Sequence, residues 1–249
     1  MTLPLYHVVA AGAPDPAAIF TRAQTVWSAR AAPAYESFTV PCEETFLASQ
    51  CEAGTVVQFI VRLADGRTFA QTLTSDGHPA TVLLRGGYAF GPAGAPFGFY
   101  RRVPLPGATL APRPPNLIED PIATIATVSA VDRAYDIALV GTEAVDGHSC
   151  YYLRLRPLRD PQAYPLRELW VDTTTYDVVR LSYAWPYNGS TAAVTYDFAP
   201  VGASGFWSIV HIDAAAVSHG LFATHAEHVS EDLHNITFPA SEPDADFSP

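Results

Sequence analysis

Lysine is absent from this chain. All 14 basic residues are arginine, set against 25 aspartates and glutamates, for a formal net charge of −11. No basic stripe is left to displace counterions from a phosphate backbone, which excludes nucleic acid as a partner. Charge of either sign is scarce: 16% of residues are charged, against roughly 25% in an average soluble domain. No uninterrupted apolar run reaches the length of a membrane span, so no transmembrane segment is expected. The start, MTLPLYHVVAAGAPDP, has no basic n-region and too short an apolar run for a signal peptide. That leaves a cytoplasmic protein, or an exported one whose signal is missing from this sequence.

Motifs of common chemistry are missing too. No Walker loop or G-x-G-x-x-G occurs, and Gly91-Pro92-Ala93-Gly94 sits among prolines that cannot open a helix. The nearest approach to a nucleophile elbow, Gly202-Ala203-Ser204-Gly205, lacks the spacing and the following helix. Cysteine is sparse, with three residues. Cys42 and Cys51 flank a turn candidate at a spacing that permits a disulfide between neighbouring strands, the alternative being free thiols throughout. The bridge favours export. Cys150 lies in a strand pattern and reads as a buried thiol.

What the chain has in quantity is apolar surface: 49% of residues are hydrophobic and 12% aromatic. Asp15 is a helix cap, Pro16 suits a first helical turn, and Ile19, Phe20, Ala23, Val26 and Trp27 recur at helical spacing until Pro33. Almost everything after reads as strands. Glu36–Phe46 and Thr55–Leu63 alternate, and Asp65-Gly66, Asp76-Gly77 and Asp146-Gly147 are hairpin signals. Gly91 to Pro121 is a Pro-rich interruption with aromatic residues, read as an ordered flap with a short helix around Ile118–Ala123. The strands resume at Ile125, and Ser149–Pro157 sets Tyr151, Leu153 and Leu155 against Tyr152, Arg154 and Arg156. Two strands flank Thr173–Thr175, and four more run over 192–198, 206–217, 221–228 and 232–238. The tail FPASEPDADFSP reads as irregular. Hairpins in succession make an antiparallel meander. The expected fold is α+β, mainly β: one domain over residues 1–249, a single strongly curved sheet of about eleven strands, with the helix and the flap on its concave face.

Five of the eight histidines fall late: His211, His219, His225, His228 and His234. On a strand His225 and Glu227 point one way and His228 the other, so no convergent metal site is expected. The adjacent acid pairs Glu43-Glu44, Glu119-Asp120 and Glu231-Asp232 point apart for the same reason and read as solvated faces. No cofactor, metal or catalytic residue is assigned.

The run Tyr135–Leu181 resembles the central strands of the outer-membrane lipoprotein-sorting superfamily, proteins similar to the lipoprotein carrier LolA and its receptor LolB. The likeness is carried by the G-x-E-x-V-D-G turn at Gly141–Gly147, the strand Tyr151–Pro157 and the W-V-D-x-x-T-Y-D-V-V-R pair at Trp170–Arg180. The early helix and the FP…P…F tail, Phe238–Phe247, suit the same pattern. The resemblance covers about half the chain by motif. It implies an incomplete barrel with helices over the concave face, binding lipid or lipoprotein acyl chains in the periplasm without covalent chemistry. The expected lining is Leu153, Leu155, Leu169, Val171, Val179, Leu181 and Tyr183 from the strands. Val26 and Trp27 from the helix, and Phe97 and Phe99 from the flap, are expected to close it. The alternatives are an envelope module that docks or senses a protein partner, and a hydrolase using His225 and His228. A monomer is expected.

Overall fold

A computed structural model of the chain describes residues 14–31, 33–45, 50–52, 54–63, 67–87, 135–158, 166–187, 190–203, 205–219 and 224–248. Among the described residues one α-helix, α1 (Pro16–Ala29), precedes twelve strands. These are β1 (Tyr35–Pro41), β2 (Val56–Arg62), β3 (Arg67–Leu73), β4 (Pro79–Gly87), β5 (Tyr135–Val145) and β6 (His148–Pro157). They continue as β7 (Leu166–Asp172), β8 (Val178–Tyr187), β9 (Ser190–Val201), β10 (Phe206–His219), β11 (Thr224–Asp232) and β12 (His234–Thr237).

Helix α1 forms as its sequence dictates. The Asp15 carboxylate accepts a hydrogen bond from the Ala17 amide, and Pro16 occupies the first turn, where its missing N–H costs nothing. Ile19, Phe20, Ala23 and Trp27 make the buried stripe. The helix stops at Arg30, whose backbone turns extended ahead of Pro33.

The strands pair antiparallel throughout. They divide between a five-stranded sheet, ordered β12-β1-β2-β3-β4, and a seven-stranded sheet, ordered β11-β10-β9-β8-β7-β6-β5. Neither closes into a barrel. One continuous sheet was expected. Among the described residues the ladder is interrupted between β4 and β5, where the Pro-rich segment and its proposed helix lie outside the described residues. The chain re-enters the first sheet at its end, as β12 pairs with β1. The Asp146-Gly147 turn has φ of 48° and 84°, the two positive values a tight hairpin requires, and joins β5 to β6.

Three details differ from the alternation read off the sequence. The first strand ends at Pro41, because a proline offers no donor to carry the ladder further. Cys42–Glu44 then form a 3₁₀ turn. The Cys42–Cys51 disulfide closes there, with Cα atoms 6.3 Å apart, and Cys150 is free and buried. β5 runs through most of the Gly141–Gly147 motif read as a turn, to Val145, and leaves the turn itself to Asp146-Gly147. The tail is not wholly irregular: Asp244–Phe247 make a 3₁₀ turn, and Phe247 is buried on the outer face of the five-stranded sheet, against Ile60, Phe69 and Tyr35.

One core joins the two sheets and the helix. Phe38, Val40, Val57, Phe59 and Val61 of the first sheet, Leu153, Leu169, Leu181, Tyr196 and Ile212 of the second, and the α1 stripe all belong to it. Trp27 meets Phe198 edge-on, with centroids 5.4 Å apart.

Two outcomes follow. Trp27→Ala should cost about 3–5 kcal/mol in a urea titration, since it opens the helix-to-sheet contact. Unfolded but unreduced protein should titrate a single thiol, Cys150, and all three cysteines only after reduction. Two or three thiols before reduction would refute the bridge.

Candidate functional site

The inner face of the seven-stranded sheet carries an apolar band that shares a core with α1. Direct cross-strand pairs build it: Leu153 opposite Leu169, Leu169 opposite Leu181, Leu181 opposite Tyr196. Side chains that pair directly share a face, so this row crosses β6, β7, β8 and β9 as one apolar band. Val171 and Tyr183 continue it, and Leu155 sits at the β5 side. The band ends in half-buried side chains on β5, Ile137 and Leu139, which pack against the core without being sealed by it.

Helix α1 lies on this band and is held by polar contacts at its flanks. The Arg22 guanidinium sits 4.4 Å over the Tyr176 ring, at the β7–β8 turn. Arg30 pairs with Asp177 and lies 4.5 Å over Trp207 of β10. The opposite side of the helix borders an open depression of about 700 Å³, lined by Asp15, Ala17, Ala18, Thr21, Arg22, Thr25 and Val26.

Seven of the expected lining residues therefore converge in one cluster: Trp27, Leu153, Leu155, Leu169, Val171, Leu181 and Tyr183. They are fully packed against one another and against α1. Val26 does not join them; it borders the depression on the helix's far side. Val179 needs correction. It packs with Val145 and Cys150, near Trp170, on the outer side of the sheet, while Val178 takes the inner position. The cause is a register shift between Trp170/Arg180 and Val171/Val178, an irregularity that breaks strict alternation on β8. Phe97 and Phe99 lie outside the described residues.

Two inner-face carboxyls were not singled out by their spacing. Glu36 of β1 is 4% exposed and accepts a hydrogen bond from the Ser208 hydroxyl of β10, so it ties one sheet to the other. Burial pushes its pKa up to about 7, against the opposing effect of that hydrogen bond. Glu231 of β11 is 2% exposed and pairs across to Ile212 of the core. Neither of its oxygens has a hydrogen-bond partner among the described residues, and burial, together with the charge of Glu44, raises it to about 8. Sequence offered one usable signal for Glu36: it shares parity with Phe38 and Val40. For Glu231 the neighbouring Asp232 disguised the pattern.

The outer face of the same sheet is charge-paired. Tyr152 stacks on Trp170 at 4.7 Å, the Trp170 indole donates to Glu143 at 2.9 Å, and the Arg180 guanidinium forks onto Asp197. Asp172 closes the turn after β7. Burial raises its pKa, but the Thr175 and Thr174 amides and His148 outweigh that and hold it below the usual carboxylate range. Cys150 is inert: burial, first, and the nearby Asp172 charge push its thiol up to about 11.

Two of the late histidines form ion pairs on the β10–β11 side: His228 pairs with Asp213 at 3.0 Å and His211 with Asp232 at 2.6 Å. Among the described residues, no group of three or more His, Cys, Asp or Glu side chains converges on a metal position. No helix among them is long and apolar enough to cross a membrane.

An open antiparallel β-structure with one helix laid on its inner face defines the class. No protein-family model and no curated protein matches the chain. Among solved structures it is similar to a LolA superfamily protein from Nitrosomonas europaea, at 12% identity and TM-score 0.37, over 95% of this chain and 99% of that one. It is likewise similar to a DUF1329 family protein from Desulfovibrio piger, at 14% identity and TM-score 0.38, over 94% and 98% of the two chains. A third likeness is to an outer membrane lipoprotein-sorting protein domain from Vibrio parahaemolyticus, at 12% identity and TM-score 0.38, over 92% and 95%.

The raised carboxyls give stability a direction with pH. In the unfolded chain both lose their protons near pH 4.5; in the folded chain they hold them to about pH 7 and 8. The folded state binds more protons across that window, so stability falls as pH rises from about 5 to 8, by on the order of a few kcal/mol. Glu231→Gln should flatten this decline in urea midpoints measured across the window. An unchanged slope in Glu231→Gln would sink the assignment.

Proposed function

We propose that the chain is an exported, monomeric binding or carrier protein for a lipid-like apolar chain, with no covalent chemistry and no cofactor. The ligand lies between α1 and the inner face of the seven-stranded sheet. One observation carries the reading: an apolar band four strands wide packs, among the described residues, in one core with a single 14-residue helix pinned at its flanks. Such a helix is a lid whose displacement exposes a binding surface without disturbing the sheet's hydrogen bonds. An acyl chain burying about 400 Å² there would gain on the order of 10 kcal/mol before ordering costs. The half-buried Ile137 and Leu139 make the natural entry at the β5 edge. The Cys42–Cys51 bridge supports an oxidising compartment such as the periplasm.

A second reading is an envelope module that docks a protein partner. It is favoured by how completely Leu153, Leu169, Val171, Leu181 and Tyr183 are already packed. A hydrolase using His225 and His228 gains nothing from the described residues, because His228 is held in an exposed ion pair with Asp213.

Native mass spectrometry of the purified protein should show co-purifying lipid, or the delipidated chain should take up a fluorescent fatty acid at micromolar concentration. Arg30→Ala, which unpins the helix end, should change the rate of that uptake. An empty protein that takes up no fatty acid leaves the partner-docking reading in its place.

A further inference from the structure

The outer face of the five-stranded sheet carries a second built site, on the side away from α1. Residues 244–247 lie across it in a 3₁₀ turn. Phe247 fills a hollow made by Ile60, Phe69 and Tyr35, and is 1% exposed. Three arginines from three successive strands address this one short segment. Arg62 reaches Asp244 at 3.3 Å and lies 5.1 Å over the Phe247 ring. Arg67 donates to the Phe247 carbonyl at 2.9 Å. Arg85 reaches Asp246 at 3.0 Å and the Ala245 carbonyl at 3.4 Å.

The floor is shaped for main chain. Gly86 of β4 has φ of 62°, and a Cβ there would stand 2.5 Å from the Ser248 carbonyl carbon. Only glycine lets another backbone lie so close to the strand. The site thus has an aromatic socket, a glycine bed and arginines that read two backbone carbonyls and two carboxylates. A strap serving stability alone needs the socket. Exposed arginine pairs add little to stability, and Asp244 is 91% exposed. Arginines arrayed on the segment's carbonyls and acids instead give selectivity for an acidic peptide.

We propose that this groove is a docking site for an extended acidic segment bearing an aromatic residue, supplied by a partner protein, and that residues 244–247 occupy it in competition. The chain's own Asp-Ala-Asp-Phe states the chemistry the groove accepts. Displacing it frees the strap that crosses the sheet from β12 toward β4, so occupancy reports on a partner.

A fluorescein-labelled peptide, Ser-Glu-Pro-Asp-Ala-Asp-Phe-Ser, tests this on the full chain by anisotropy. The native chain should bind it weakly. A D244N/D246N chain, whose own segment competes less well, should bind it at least tenfold more tightly, and Phe247→Ala should do the same. Adding R85A to D244N/D246N should reverse the gain, a peptide with alanine for phenylalanine should not bind, and rising salt should weaken binding. Folded D244N/D246N protein that binds no better than native at millimolar peptide overturns the proposal. So does binding indifferent to Arg85. Should Phe247→Ala fail to fold, the D244N/D246N chain still decides. Unfolding of D244N/D246N would make the segment an integral structural element and equally overturn it.

Discussion

Helix α1 against the inner face of the seven-stranded sheet is the contact on which the structure depends. Open sheets have two faces, and each apolar face needs a cover. Ile19, Phe20, Ala23 and Trp27 cover the Leu153–Leu169–Leu181–Tyr196 band from the helix side. The first sheet closes the same core through Phe38, Phe59 and Val61. Removing the helix would bare part of that band to water.

Polar groups fix how the layers meet. Glu36 and Ser208 join the two sheets inside the core, where a hydrogen bond is stronger and a misplaced partner is more costly than in water. Glu231 has no such partner among the described residues, and burial raises its pKa to about 8. Arg22 and Arg30 do the equivalent work at the helix flanks, with aromatic faces as well as Asp177 as their partners. Few contacts therefore hold the helix in place at its flanks.

Local pattern carried much of this. The cap at Asp15, the stripe from Ile19 to Trp27, the Asp146-Gly147 turn and the inner and outer faces of β6 and β7 were all legible, because each follows from neighbours within a turn or a pleat. Val179 was not. One register irregularity between β7 and β8 moved Val178 inward, and a bulge leaves no mark in alternating apolar residues. Val26 was misplaced for another reason: a helical stripe is wide, and its edge residue falls on whichever side the partner surface leaves open. Phe247 was hidden in a tail whose prolines and acids read as irregular.

The sequence by itself determined the class of the protein: mainly β, antiparallel, acidic, with one amphipathic helix. Periodicity and turn chemistry are local, and they survive any arrangement of the elements. Only the tertiary structure decided which faces meet. It brought Glu36 to Ser208, closed Cys42 on Cys51, and laid Asp244–Phe247 across Arg62, Arg67 and Arg85. Those partners stand up to 182 residues apart. Nothing in the spacing of one strand specifies what another strand, reached through the core, will put opposite it.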